Sequence, residues 1–405
     1  MIAVSPHWNR PRTGEEPAPS PGPAPRVNHA YRTQDPIHVI RSAPISETLG
    51  GRHVARHHDK ALGRVIFSAA EESYPLAVRE LQDEFGRDAN IERVGPDTGV
   101  LIRSGLTAAE VARQCRRRPI VFVKHLTAEV ARLAAGADLS LAEVGAAAAD
   151  AAAARVGPGV TLAVQVWPSG NAEPAGTGLR PGAVATAIVD ALRARGLSAA
   201  RAGQDEVLSC CLADRTILIG LNRAVDSIAD WPGGRVRLGR AEEQISRSEF
   251  KLEELLQSGA VELPAEGMAV DLGAAPGGWT RILRQAGMRV TAVDPGDLDP
   301  RLARDPRVTH VRTTAMEFLR GNPRPYNVVV NDMRMDPELS AQAMVDAARR
   351  LAPGGIGVIT LKTGSHRVLE TIDRCLGTLR GAYEIDLVRQ LQHNRNEVTA
   401  VLHRR

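Results

Sequence analysis

From Arg64 onward the chain alternates short apolar runs with stretches of amphipathic spacing. Arg64 to Ala69 reads as a strand, and Tyr74 to Phe85 as a helix, with Leu76, Val78, Leu81 and Phe85 at helical spacing. Asn90 to Val94 and Val100 to Ile102 read as two strands joined by the turn signal Pro96-Asp97-Thr98-Gly99. Thr107 to Arg117 reads as a helix and Ile120 to Lys124 as a further strand. A second α/β pattern runs from about Leu139 to Arg223. It comprises a helix to Arg155, a strand Val160 to Trp167, a helix Pro181 to Arg195, and strands Val207 to Leu212 and Thr216 to Leu221. Trp231-Pro232-Gly233-Gly234 marks a linker, after which strands and helices alternate to the end, as in a doubly wound sheet.

The first pattern, βαββαβ, is that of a ferredoxin-like unit and is expected over residues 58–126. The second is expected over 127–238, and the doubly wound part over 239–405. The fold class is therefore α/β throughout. Residues 1–57 hold nine of the 26 prolines and no apolar period, the signature of a disordered leader. His53, His57 and His58 lie in that tail, where nothing nearby would fix a metal geometry, and no metal is expected.

Composition narrows the partners. No apolar run reaches membrane-spanning length, and the N-terminus has no secretory pattern; a cytoplasmic protein is expected, and a monomer. Cys115, Cys210, Cys211 and Cys375 form no metal-ligand pair and read as reduced thiols. A net charge of +4 suits a polyanionic partner without demanding one. Aromatic residues are only 3% of the chain, so contact with RNA would depend on shape and phosphates rather than on stacked bases. Arg113, Arg116, Arg117 and Arg118 form the densest basic run, which reads equally as a phosphate patch or a solvated helix end.

The chemistry-bearing motif follows the strand Met268-Ala269-Val270, in Asp271-Leu272-Gly273-Ala274-Ala275-Pro276-Gly277-Gly278-Trp279-Thr280. Glycines at a strand-to-helix turn let the backbone approach a ligand closely. A dinucleotide site is disfavoured, because Ala275 stands at the second glycine position and Pro276 removes an amide that a pyrophosphate would need. The next strand, Arg289 to Val293, ends in Asp294, placed to accept both hydroxyls of a ribose. Asp271 can face a cationic ligand end. Together they fit an adenosyl ligand without phosphate.

This loop resembles the S-adenosyl-L-methionine motif of the FtsJ-type RNA ribose 2′-O-methyltransferases, and the resemblance extends over about Ser246 to Arg405. It implies that Asp271, Gly273, Ala274, Pro276, Gly277, Gly278 and Trp279, with Asp294 and Asp332, contact the cofactor. It also implies a Lys-Asp-Lys-Glu catalytic tetrad, matched here by Lys251, Asp332, Lys362 and Glu397. Ser246 and Glu249 have the spacing of a capping box, which puts Lys251 in the first turn of a helix. Asp332 follows the strand Asn327 to Val330, and Lys362 ends the strand Ile356 to Leu361, at the edge where doubly wound sheets bind ligands. If Glu384–Val388 and Val398–Leu402 pair as an antiparallel hairpin, Glu397 arrives at the same edge. A ribose hydroxyl is a very weak acid, and lysine becomes a base only if its pKa falls; Lys251 beside Lys362 is expected to lower it.

A ferredoxin-like segment, a THUMP-like region and an FtsJ-type domain in that order resemble the RlmM-type methyltransferases. That implies a cytidine of large-subunit (23S) ribosomal RNA as substrate, with the N-terminal units selecting the RNA. The proline-rich leader departs from that pattern. The alternatives are another RNA such as tRNA, a catalytically inactive RNA-binding homologue, and a small-molecule methyltransferase, for which the N-terminal units would have no evident use.

Overall fold

The structure is a computed structural model and describes residues 63–405 apart from 87–88, 104, 119, 137, 171–177, 240–242 and 322–323. The expected leader and His53, His57 and His58 lie outside the described residues.

The first elements are β1 (Arg64–Ser68), α1 (Tyr74–Phe85), β2 (Asn90–Arg93), β3 (Thr98–Ile102), α2 (Ala108–Arg117) and β4 (His125–Ala134). Thr107 and Glu110 start α2 with a capping box, each side chain taking the other's backbone N–H. The strand expected over Ile120 to Lys124 does not form. The Glu80 carboxylate of α1 accepts the Val121 and Phe122 N–H groups, both at 2.9 Å, so this buried apolar run joins no ladder. The strand starts at His125 instead, where buried His125, Thr127 and Glu129 mask the apolar alternation that would have marked it.

Next come α3 (Leu141–Ala153), β5 (Thr161–Pro168), α4 (Pro181–Arg193), β6 (Ser198–Ala200), β7 (Glu206–Ala213) and β8 (Thr216–Arg223). The eight strands form one sheet in the order β2-β3-β1-β4-β8-β7-β5-β6. β4 pairs with β1 over residues 125–128 and with β8 over 129–134, so the sheet runs unbroken across the expected division at 126/127. The expected linker at Trp231 to Gly234 is packed rather than solvated: Gly233 is buried against the Trp167 ring, and its carbonyl accepts the Ser68 hydroxyl at 2.8 Å.

The C-terminal half comprises α5 (Glu249–Gln257), β9 (Met268–Leu272), α6 (Gly278–Gln285), β10 (Arg289–Val293), α7 (Pro300–Ala303), β11 (Val308–Val311) and α8 (Ala315–Arg320). It continues with β12 (Tyr326–Asn331), α9 (Pro337–Ala347), β13 (Leu351–Leu361), α10 (Val368–Leu379), β14 (Tyr383–Arg389) and β15 (Val398–Arg404). The sheet order is β11-β10-β9-β12-β13-β15-β14, parallel from β11 to β13, with β15 antiparallel to both its neighbours. This is a Rossmann-like α/β fold. Its central strands are covered on both faces, which is why Val328, Val329 and Val330 run on without a polar break.

One cluster of buried side chains takes in Phe67 and Phe122 from the N-terminal half together with Val329, Ile359 and Val398 from the C-terminal half. A second cluster lies under α3 and α4. Among the described residues no helix is long and apolar enough to cross a membrane.

Candidate active site

Sheet register delivers three of the four expected reactive residues to one edge. Asn331 of β12 pairs with Ile359 of β13, so Asp332 and Lys362 leave adjacent parallel strands at the same end. β15 returns antiparallel with Val398 opposite Leu361, which sets Glu397 beside Lys362. Lys251 is the third residue of α5. The capping box expected there is only half formed. The Glu249 carboxylate accepts the Ile245 and Ser246 N–H groups, but the Ser246 hydroxyl pairs with that of Ser248, 2.6 Å away. The other Glu249 oxygen accepts Arg281 of α6 at 2.8 Å, which anchors the start of α5 to the cofactor-loop helix.

The four side chains close into a ring of alternating charge. Lys251 Nζ lies 2.9 Å from Asp332 Oδ1 and 2.7 Å from Glu397 Oε1. Lys362 Nζ lies 2.5 Å from both Asp332 Oδ1 and Glu397 Oε2. Lys251 is the most buried, at 9% side-chain exposure, and Lys362 the most open, at 21%. Lys362 is therefore the more accessible of the two lysines. Burial works against its charge, but Asp332 and Glu397 outweigh burial and hold the ammonium above the ordinary lysine range. The expected lowering by Lys251 is thus overturned, because two carboxylates stand in direct contact with the amine. Glu397 mirrors this: burial pushes its carboxyl up, and the two lysines bring it below the usual range.

The cofactor loop is held by its neighbours. Gly273 and Ala274 both donate to the Val293 carbonyl, at 2.9 and 3.2 Å, tying the loop to the end of β10. Gly277, at φ +115°, makes the turn into α6 in a backbone conformation that side-chain-bearing residues rarely adopt. Gly278 lies so close to the Ser246 and Ser248 hydroxyls that a Cβ would not fit. The Pro276 carbonyl accepts Asp299 N–H at 2.9 Å. Trp279 is 2% exposed, and its indole N–H donates to Ser248 O at 2.7 Å, so it braces α5 rather than lining an open cleft.

The two loop-edge aspartates differ. Asp294 is half-buried; its Oδ2 accepts Ala275 N–H at 3.1 Å and its Oδ1 accepts Gly296 N–H at 2.7 Å. Each oxygen keeps a free lone-pair direction, which fits two vicinal ribose hydroxyls. Asp271 is 2% exposed and accepts the Thr280 hydroxyl at 2.7 Å. Burial pushes its carboxyl up to about 7, with the Thr280 hydrogen bonds opposing. A cation bound beside it would reverse that shift, and the cationic end of an adenosylmethionine is such a group.

Two supporting residues escaped the sequence reading. Thr280 closes the motif as the third residue of α6, but nothing in the sequence shows that its hydroxyl holds Asp271. Asn394 is 4% exposed, donates to Glu397 Oε1 at 3.2 Å and accepts Leu391 N–H at 2.7 Å. In His393-Asn394-Arg395-Asn396 nothing distinguishes the buried asparagine from the exposed one.

Residues 244–396 match the FtsJ-like methyltransferase family. The C-terminal half carries an FtsJ-like methyltransferase domain. The match begins just before α5 and ends one residue short of Glu397. Ribosomal RNA large subunit methyltransferase M of Halorhodospira halophila is 40% identical over 181 residues, covering 43% of this chain and 51% of that protein. The protein of the same name from Methylococcus capsulatus is 40% identical over 190 residues, covering 44% of this chain and 52% of that protein. That from Alkalilimnicola ehrlichii is 37% identical over 225 residues, covering 52% of this chain and 60% of that protein. The chain spans about half the length of the first two curated relatives and three fifths of the third.

Proposed function

We propose that the chain is an S-adenosylmethionine-dependent methyltransferase acting on a ribose 2′-hydroxyl of RNA, with a cytidine of large-subunit ribosomal RNA as its substrate. The observation that carries this reading is the closed Lys251–Asp332–Lys362–Glu397 ring at the ligand-binding edge of the sheet. The names of the relatives support the choice of RNA.

S-adenosylmethionine, when bound, supplies a methyl group on a positively charged sulfur. Asp294 would hold its ribose and Asp271 would face its cationic end. Lys362 takes the proton of the ribose hydroxyl as the oxygen attacks. Asp332 and Glu397 fix the Lys362 amine from two sides, and Lys251 fixes both carboxylates in turn. Alignment of hydroxyl and methyl supplies much of the acceleration. A tetrad built for nothing but structure would be an expensive way to bury two lysines.

The N-terminal half, with a ferredoxin-like unit over 58–126 and a THUMP-like unit over 127–238, would select the RNA. In the Arg113 to Arg118 run, Arg118 pairs with Glu84 at 3.2 Å, and Arg116 donates to the Ser227 carbonyl and keeps its charge.

The test is transfer of labelled methyl from S-adenosylmethionine to unmodified large-subunit ribosomal RNA, followed by alkaline digestion. A 2′-O-methyl group removes the hydroxyl that alkali needs, so label should appear in alkali-resistant dinucleotides. Label in single nucleotides would mean base methylation and would refute the ribose assignment.

A further inference from the structure

The chain holds four lysines, at 60, 124, 251 and 362, among 51 basic residues in all. Arginine stands at nearly every place where a cation suffices. Two of the lysines belong to the ring described above. Lys124 does not, and it is 5% exposed, a costly place for a compact, strongly hydrated ammonium.

Its surroundings are built. The Lys124 N–H donates to Ser68 O at 2.8 Å, and Gly234 packs against the Lys124 backbone so closely that a Cβ would not fit. The side chain crosses from the N-terminal half to the methyltransferase domain, where Nζ reaches Gln392 Oε1 at 3.5 Å. Glu254, three residues after Lys251 on α5, accepts Gln392 N–H on both carboxylate oxygens, at 3.0 and 2.9 Å. Two residues beyond Gln392, Asn394 holds Glu397. On the other side of Gln392, Gln390 N–H donates to Val121 O at 2.9 Å and the Gln390 side chain to Ser73 Oγ at 2.9 Å. The segment that delivers Glu397 is thus gripped by the N-terminal half at several points.

We propose that Lys124 is a positioning residue for methyl transfer, acting through Gln392 to hold the 390–397 segment so that Glu397 meets Lys251 and Lys362. This rests on the reading of the ring as catalytic. The N-terminal half then does more than select RNA: it sets the geometry of the ring, and RNA bound there has a mechanical route to the reacting groups. The charged groups acting on Lys124 are Glu254, Glu72, Arg235 and Asp97. Burial outweighs the acids among them and brings its amine down to about 8, so the strut is held under an electrostatic cost that a purely apolar side chain would avoid.

Four lysines make the test tractable. Lysine labelled with ¹³C at Cε gives one resonance per residue in the full chain, assigned by substitution and followed upward from about pH 8, past the reference lysine value of about 10.4, until the Lys362 shift is complete. If Lys124 acts through the segment, Lys124→Met lets Glu397 draw away and lowers the Lys362 midpoint by about one pH unit. Removal of a cation acting only through space would raise that midpoint instead, so the sign separates the two. Gln392→Ala, which removes no charge and touches no core, should lower it likewise, and the double variant should add nothing to the larger single effect. An unchanged or raised Lys362 midpoint in both single variants, or additive shifts in the double, would overturn the proposal. The readout needs no turnover, so failure of the methyltransferase reading would show separately, as absence of label transfer with these shifts intact.

Discussion

At Lys362 two carboxylate oxygens within 2.5 Å outweigh burial, so the amine keeps its proton well into the alkaline range. Only its neutral form can accept a proton from the ribose hydroxyl. For free enzyme, kcat/KM should therefore climb through neutral and alkaline pH, with no plateau below about 10.4, the reference lysine value. A plateau near neutrality would assign the proton to another group. Lys362→Ala should abolish transfer and leave cofactor affinity nearly intact, and Lys362→Arg should fail too, since guanidinium is no base at ordinary pH; near wild-type turnover in the arginine variant would remove the base role. Asp294→Ala should weaken S-adenosylmethionine by on the order of 2–4 kcal/mol in calorimetry, as two hydrogen bonds to a carboxylate are lost. The four ring residues were legible through the resemblance to the FtsJ-type family, and the pattern of elements then showed how three of them could reach one sheet edge. Their contacts were not: order along the chain carries no distances, and the expected lysine–lysine effect ran against the carboxylates that lie between them.

At the scale of elements, β9 and its loop combine a readable motif with an unreadable burial. Asp271 is visible as the strand-tip acid, but its full burial and its tie to Thr280 depend on how α6 lies across it. With its carboxyl raised to about 7 in the fold from an ordinary 3.8, the folded state binds the proton more tightly than the unfolded chain. Its stabilising contribution is therefore full below the unfolded value and lost as pH rises through about 7. In the cofactor-free protein, melting temperature should fall across that window, and Asp271→Asn should flatten the fall; equal slopes in both proteins would contradict the burial argument. Gly277→Ala should impair cofactor binding, because its φ of +115° is strained for alanine and Leu302 fills the space a Cβ would take. The strand misread at 120–124 teaches the converse lesson. A buried apolar run and a strand look alike until something, here Glu80, takes the backbone N–H groups.

At the scale of the molecule, the alternation of strands and helices after Trp231 foretold the doubly wound sheet, whereas the joining of the N-terminal patterns into one sheet was hidden. β4 is long enough to serve two neighbours, and no residue pattern marks where one partner ends and the next begins. The buried cluster shared by both halves means that removing the N-terminal half strips cover from the core of the C-terminal half. With few aromatics, recognition should depend on phosphates, so affinity of the full chain for ribosomal RNA should fall linearly on a log–log salt plot; a flat response would point to base stacking instead. The most direct test of the whole account maps ribose methylation on unmodified large-subunit ribosomal RNA after incubation with S-adenosylmethionine and either the wild-type chain or Lys362→Ala. The account predicts one new 2′-O-methylated cytidine with the wild-type chain and none with the variant. A methyl group on a base, on no RNA at all, or at the same cytidine with the variant would contradict it.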